Sequence, residues 1–297
     1  MNNQYVADIG DYGKYSLLRA FIDAGVKVGV NWYLTKNDGS ADGSFTDYLE
    51  KDKLRRYSPE IFNALRSIAT KDNKTVTDIQ NSGILPGAEY YSELLEPQGS
   101  KANNEQQRKE WFEKSADVLS DAELIFMDPD NGLLESGGAD KTNANKYVLP
   151  EEVEEYFSRG HNVVYYCHKG RRNFSKWESY KSMMFERIPE AQPTVLTYHK
   201  GTQRSYIFLI HEKDYKAYRK IIDRFLWKWN RIFSEEYTSK GNVAGKVTES
   251  AFVVEGTNGI TVKIEKRADG RIQISSSDKP NTMTIMEADW FIERIRS

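Results

Sequence analysis

The chain has 297 residues, of which 39% are hydrophobic and 29% charged, a mixture that excludes a disordered tail and leaves no apolar run of membrane-spanning length. Its 42 Lys and Arg stand against 44 Asp and Glu, a net charge of −2, so no global basic field marks a polyanion partner, and any such partner needs a local patch. The single cysteine, Cys167, excludes an intramolecular disulfide framework, and the opening Met1-Asn-Asn-Gln-Tyr-Val-Ala-Asp8 has no basic region leading into an apolar core; the expectation is a cytoplasmic protein with no membrane partner.

Leu17, Leu18, Phe21 and Ile22 recur at helical spacing behind a Gly/Asp-rich entry, which predicts a first helix from about Tyr12 to Gly25. Val26 to Leu34 has the length and β-branched content of a buried strand, and Thr35 to Ser44 is a loop rich in Asn, Asp and Gly. Ile61, Leu65 and Ile68 predict a short helix after Pro59, and Val76 to Ile79 a brief strand. Asn103 to Ser120 reads as a helix with Trp111, Phe112, Ala116 and Leu119 on one face, feeding a strand over Ala122–Met127. Pro150 opens an acidic helix through Arg159, and a strand follows over His161–Cys167.

A helix around Trp177, Tyr180, Met183, Met184 and Phe185 precedes two strands, Pro193–His199 and Arg204–His211, whose tight connection implies an antiparallel pair. Lys213 to Glu236 carries Tyr218, Ile222, Phe225, Trp229 and Phe233 at three- and four-residue spacing, the pattern of one long amphipathic helix. Beyond Thr238, Asn258-Gly259 and Asp269-Gly270 separate Phe252–Ile264 and Arg271–Ile274 as hairpins do. The expected architecture is therefore α/β: a Rossmann-like, mostly parallel sheet with a terminal antiparallel hairpin over 1–238, and a small β-rich module over 239–297 ended by a short helix around Trp290.

Three polar clusters fall at the ends of these elements. Asp128, Asp130 and Asn131 follow an apolar strand, where two carboxylates and an amide can hold a hydrated cation, accept from an amine or supply a base. Asp-Pro-Asp-Asn-Gly is equally suited to a plain turn and helix cap. Asp8, Gly10, Asp11 and Lys14 precede a helix, either exposing its amides to an anion or simply starting it. His168 can act as base or ligand, with Lys169, Arg171 and Arg172 beside it to neutralise phosphates and Arg204 adding charge further on. Tyr165, Tyr166, Phe174, Trp177 and Tyr198 interleave aromatic rings with these charges, a composition that fits a nucleic-acid groove. A doubly wound sheet brings the carboxyl ends of its strands together, so these clusters are expected around one cleft.

The order of elements resembles a class I S-adenosylmethionine-dependent methyltransferase over residues 5–211. Asp128-Pro129 stands where amino-group methyltransferases carry Asp/Asn-Pro-Pro-aromatic, and Gly10-Asp-Tyr-Gly-Lys-Tyr-Ser-Leu-Leu-Arg19 is similar to the leader helix of ribosomal RNA adenine methyltransferases. The resemblance implies S-adenosylmethionine as cofactor, bordered by Asp8, Gly10, Asp11, Lys14, Asn31, Trp32, Asp38 and Gly39. It also implies Asp128, Asp130, Asn131 and His168 as catalytic residues, and a nucleic acid or nucleotide substrate met by Lys169, Arg171, Arg172 and Arg204. The chain departs from that family in two places. Its first strand ends in Asn31-Trp-Tyr-Leu-Thr35 with no Gly-x-Gly turn, and Asp130 and Asn131 replace the Pro and aromatic that grip a flipped base. Pairing of Asp-Ile-Gly-Asp-Tyr-Gly-Lys-Tyr with Asp-Pro-Asp-Asn-Gly-Leu also resembles uncharacterised bacterial proteins. Strand-Asp-x-Asp-x-Gly-Leu further resembles the nucleophile motif of haloacid-dehalogenase-like phosphatases, although the second acidic pair is missing. A phosphoesterase or nuclease using Asp128, Asp130 and His168 with Mg²⁺ or Mn²⁺ is thus the alternative, and a noncatalytic interaction protein the third.

Overall fold

The computed structural model describes residues 1–37, 39, 45–96, 100–140, 143–170, 172–236, 247–255, 261–267, 271–276 and 279–287. The fold is α/β and Rossmann-like, and it divides into two compact units, one of 1–170 with 200–206 and one of 171–199 with 207–297.

The first unit starts with helix α1 (Ile9–Asp23), which begins three residues earlier than its hydrophobic spacing indicates because Asp8 caps it from outside the periodic run. Strand β1 (Val28–Asn31) is shorter than the apolar run Val26–Leu34: the backbone leaves the strand at Trp32, and Tyr33 has a φ of 44°. Helix α2 (Pro59–Ala69) follows the expected Ile61, Leu65, Ile68 spacing. Val76–Asn81 is helix α3, not a strand. Its start is a capping box in which the Asp78 carboxylate accepts from the Thr75 N–H at 2.8 Å, a local signal that outweighs the β-branched Val76 and Ile79. The short strand β2 (Glu89–Tyr91) has no alternating pattern of its own.

Helix α4 (Lys101–Val118), strand β3 (Leu124–Met127), helix α5 (Pro150–Ser158) and strand β4 (Asn162–His168) complete this unit as expected. Its strands run parallel in the order β2-β1-β3-β4, with Asn31 opposite Met127 and Met127 opposite Tyr165. All four residues of β1 and of β3 are buried, as strands covered on both faces must be. This register delivers the residues after Asn31, Met127 and Tyr165 to one edge of the sheet, the carboxyl edge where open α/β sheets bind ligands.

The second unit holds helix α6 (Phe174–Arg187), strand β5 (Gln192–Tyr198), strand β6 (Arg204–Ile210) from Ile207 onward, and helix α7 (Glu212–Trp229). The long amphipathic run stops at Trp229, and its last part is strand β7 (Phe233–Glu236), paired antiparallel to β5 with Phe233 opposite Tyr198. Phe233 is buried among Phe225, Trp229 and Tyr198, so an aromatic contact that mimics helical spacing is made from a strand. Strands β8 (Val247–Glu255), β9 (Thr261–Arg267), β10 (Arg271–Ser276) and β11 (Lys279–Glu287) form an antiparallel meander. The helix expected around Trp290 lies outside the described residues.

Candidate functional site

Residues ahead of α1 are held in an unusual backbone conformation. Ala7 has a φ of 67°, in the left-handed region that a Cβ disfavours, and its N–H donates to Asp11 Oδ2 at 3.0 Å. Asp8 then caps the helix, its Oδ1 accepting from the Gly10 N–H at 2.6 Å and from Arg204 Nη2 at 2.7 Å. The carboxylates of Asp8 and Asp11 thus occupy amides that sequence reasoning offered to an anion. Glycine at position 10 makes room for this placement of Arg204: a Cβ there would lie 2.4 Å from Arg204 Nε, so the guanidinium would have to shift. Gly201, at φ 66°, would likewise put a Cβ 2.7 Å from Ile9 Cγ2, so the 200–204 turn lies against the start of α1.

The segment after β3 is a loop and caps no helix. The Asn131 N–H donates to the Lys146 carbonyl at 2.9 Å, and the Val148 N–H to the Gly132 carbonyl at 2.9 Å, which pins 131–134 beside 146–148. Asp128 is buried, with Oδ2 2.7 Å from Lys14 Nζ. Lys14 also meets Asp11 Oδ1 at 2.8 Å, so one ammonium lies between two buried carboxylates. Burial pushes the Asp128 carboxyl above its ordinary value although Lys14 and the Met1 amine oppose the shift, and burial raises Asp11 in the same way. Burial alone would lower Lys14, but Asp11 and Asp128 outweigh it and hold the ammonium above the usual lysine value. Asp130 accepts from Thr35 Oγ1 at 2.9 Å and has Oδ1 3.1 Å from the Met1 amine.

His168 ends β4, Lys169 follows it, and Arg204 opens β6. These groups, the Asp128–Asn131 loop and the start of α1 surround a single cavity of about 550 Å³. It therefore gathers Asp8, Gly10, Asp11 and Lys14, then Asp128, Asp130 and Asn131, then His168, Lys169 and Arg204. Segments from opposite ends of the first unit's sequence are thereby brought to one hollow.

Other expected site residues lie elsewhere. Asn31 and Trp32 are fully buried and do not line the cavity. The Asn31 side-chain amide donates to Tyr156 Oη at 3.0 Å, and the Trp32 ring stacks on Tyr90 at 6.0 Å between centroids. Gly39 is described but does not line the cavity, whereas Asp38 and Arg171 lie outside the described residues. Arg172 belongs to the second unit, with its guanidinium 4.2 Å from the Tyr180 ring centroid. Sequence reasoning left Tyr5, Phe45 and Tyr206 out of the site, and Tyr166 only among aromatics near charge, yet all four line the cavity. A period of two was the available signal for two of them, since Tyr166 lies two residues before His168 and Tyr206 two after Arg204 on the same strands. Phe45 is 58% exposed at the cavity, and a lone aromatic in a polar loop carries no such signal.

Chemically, the cavity offers carboxylates for N–H donors or proton transfer, cations for an anionic group, and aromatic rings for a planar one. Among the described residues, no group of three or more His, Cys, Asp and Glu is placed to hold a metal ion. No described helix is long and apolar enough to cross a membrane. Compared with known protein families, the chain matches no family model, and compared with curated proteins it matches none.

Proposed function

We propose that this cavity is the active site of a Rossmann-like enzyme that acts on a nucleotide, either free or within a nucleic acid strand. The observation that carries the reading is the convergence of acidic strand and helix ends, cationic neighbours and aromatic rings on one cavity of nucleotide size. In this reading Lys169 and Arg204 meet the phosphate, while Phe45, Tyr5 and Tyr206 flank the base. Asp128, with Lys14 against it and its carboxyl held above the ordinary range, exchanges the proton. His168 stands at the same edge as a second acid–base group.

At the end of β1, where the methyltransferase resemblance puts S-adenosylmethionine, Trp32 against Tyr90 and Asn31 bonded to Tyr156 do not fit that cofactor. For Mg²⁺ or Mn²⁺, the carboxylates of Asp11 and Asp128 already share the Lys14 ammonium.

Calorimetric titration with AMP, CMP, GMP and UMP, and with single-stranded oligonucleotides of each base, tests the reading. Saturable binding is expected, weakened about tenfold or more in Lys169→Ala, the worth of one charge-assisted hydrogen bond. Parallel titrations with S-adenosylmethionine and with Mg²⁺ measure the two cofactor expectations directly. Absence of saturable nucleotide binding in every arm would overturn the proposal.

A further inference from the structure

Among the described residues, Asp8 Oδ2 at the cavity has no hydrogen-bond partner. Asp8 is 3% exposed and lines the cavity, and while Oδ1 accepts from both Gly10 and Arg204, Oδ2 accepts from no described residue. A buried carboxylate oxygen left unpaired carries the desolvation penalty of a charged acceptor, which a ligand N–H removes on binding. The neighbouring acceptors reinforce this polarity, since Asp11, Asp128 and Asp130 face the same hollow while the Lys14 ammonium is shared between Asp11 and Asp128. A carbonyl oxygen brought to Oδ2 would set one acceptor against another.

We propose that Asp8 is the specificity-determining residue of the site and selects nucleobases that present an amino group, adenine, cytosine or guanine, over hypoxanthine and uracil, which have none. This rests on the reading of the cavity as a nucleotide site. An amino group offers two hydrogens at the ring edge, whereas the one edge N–H of uracil is flanked by two carbonyl oxygens that would approach the carboxylate with it. A site built around a buried acceptor rejects the ligand lacking the donor, because the acceptor then stays unpaired in the complex.

The test compares matched pairs on the wild-type chain by calorimetry: CMP against UMP, AMP against IMP, and CMP against its analogue lacking the 4-amino group. The same base swaps are made in single-stranded oligonucleotides. Amino-bearing ligands are expected to bind at least about tenfold more tightly. Asp8→Asn keeps an acceptor oxygen for Gly10 and Arg204 and turns the unpaired oxygen into a donor, so the CMP to UMP preference is expected to fall to unity or invert. Should that variant fail to fold by circular dichroism, the ligand pairs on the wild type still decide. Equal affinity within every pair, or an unchanged ratio in a folded Asp8→Asn, overturns the specificity while leaving the nucleotide site standing. No binding of any nucleotide overturns both.

Discussion

Lys14 and Asp128, 114 positions apart in the chain, meet at 2.7 Å with both side chains almost fully buried. Asp11 completes the group from the preceding turn of α1. Lys14→Met removes the ammonium and leaves two buried carboxylates facing each other, a loss expected to cost about 3–5 kcal/mol in chemical unfolding. Because both carboxyls can then take up protons, the deficit shrinks on acidification. A second change, Asp128→Asn, recovers part of it. A melting temperature for Lys14→Met equal to wild type at neutral pH would show that the pair carries no such weight.

Gly10→Ala is a probe of the 200–204 turn. Alanine is the better helix former by about 0.5–1 kcal/mol, but loss of the Asp8–Arg204 pair opposes that gain, so the fold is expected to survive with a lowered melting temperature. The added methyl meets the Arg204 guanidinium and displaces it from Asp8. Nucleotide affinity is expected to fall to the level of Arg204→Ala, and the double variant to lose nothing more. Independent, additive losses would contradict the shared mechanism.

Ala7 sits in the left-handed region, with its N–H bonded to Asp11. Ala7→Gly relieves a strain of about 1 kcal/mol, opposed by greater freedom in the unfolded chain, so stability is expected to stay level or rise slightly. Ala7→Val, whose branched side chain tolerates this conformation worse, is expected to destabilise. Thermal melts of the three chains rank the effect.

In the second unit, Glu236 accepts from Thr197 Oγ1, Trp177 Nε1 and Lys181 Nζ. Burial pushes its carboxyl up, but Lys181 and these hydrogen bonds outweigh burial and hold it below the ordinary value of 4.5. A carboxyl with a lowered folded value contributes stability that is complete above its unfolded value and lost as pH falls through the folded one. Glu236→Gln is therefore expected to lose stability at neutral pH and to show a shallower acid slope than wild type. Parallel acid slopes in denaturant titrations would remove Glu236 as the cause.

Trp32 separates packing from cofactor contact. Its ring is fully buried between Tyr90 and Tyr15. Trp32→Ala is expected to destabilise by about 3–5 kcal/mol. The residual folded protein should bind nucleotides as wild type does. A large affinity loss with normal stability would return Trp32 to the site.

Much of this protein was legible from residue order. Apolar periodicity or an apolar run marked α2, α4 and the strands β3 and β4, because burial of one face or a whole strand leaves its pattern in the chain, while Pro150 marked the start of α5. The polar ends of those elements named Asp8, Lys14, Asp128, Asp130, His168 and Arg204 as candidates, since an apolar strand that stops at charged residues stops at solvent or at a cleft. Where sequence and fold parted, a second force intervened. Val76–Asn81 obeys its capping box rather than its β-branched residues, and Phe233 keeps helical spacing from Phe225 and Trp229 while hydrogen-bonded as a strand to β5. Only tertiary structure decided that Asn31 and Trp32 belong to the core, that one ammonium serves both Asp11 and Asp128, and that one oxygen of Asp8 is left without a donor among the described residues. The reason is physical: periodicity records which way a side chain faces its own element, whereas partners across a cleft are chosen by parallel register and loop closure, which join residues that no local pattern connects.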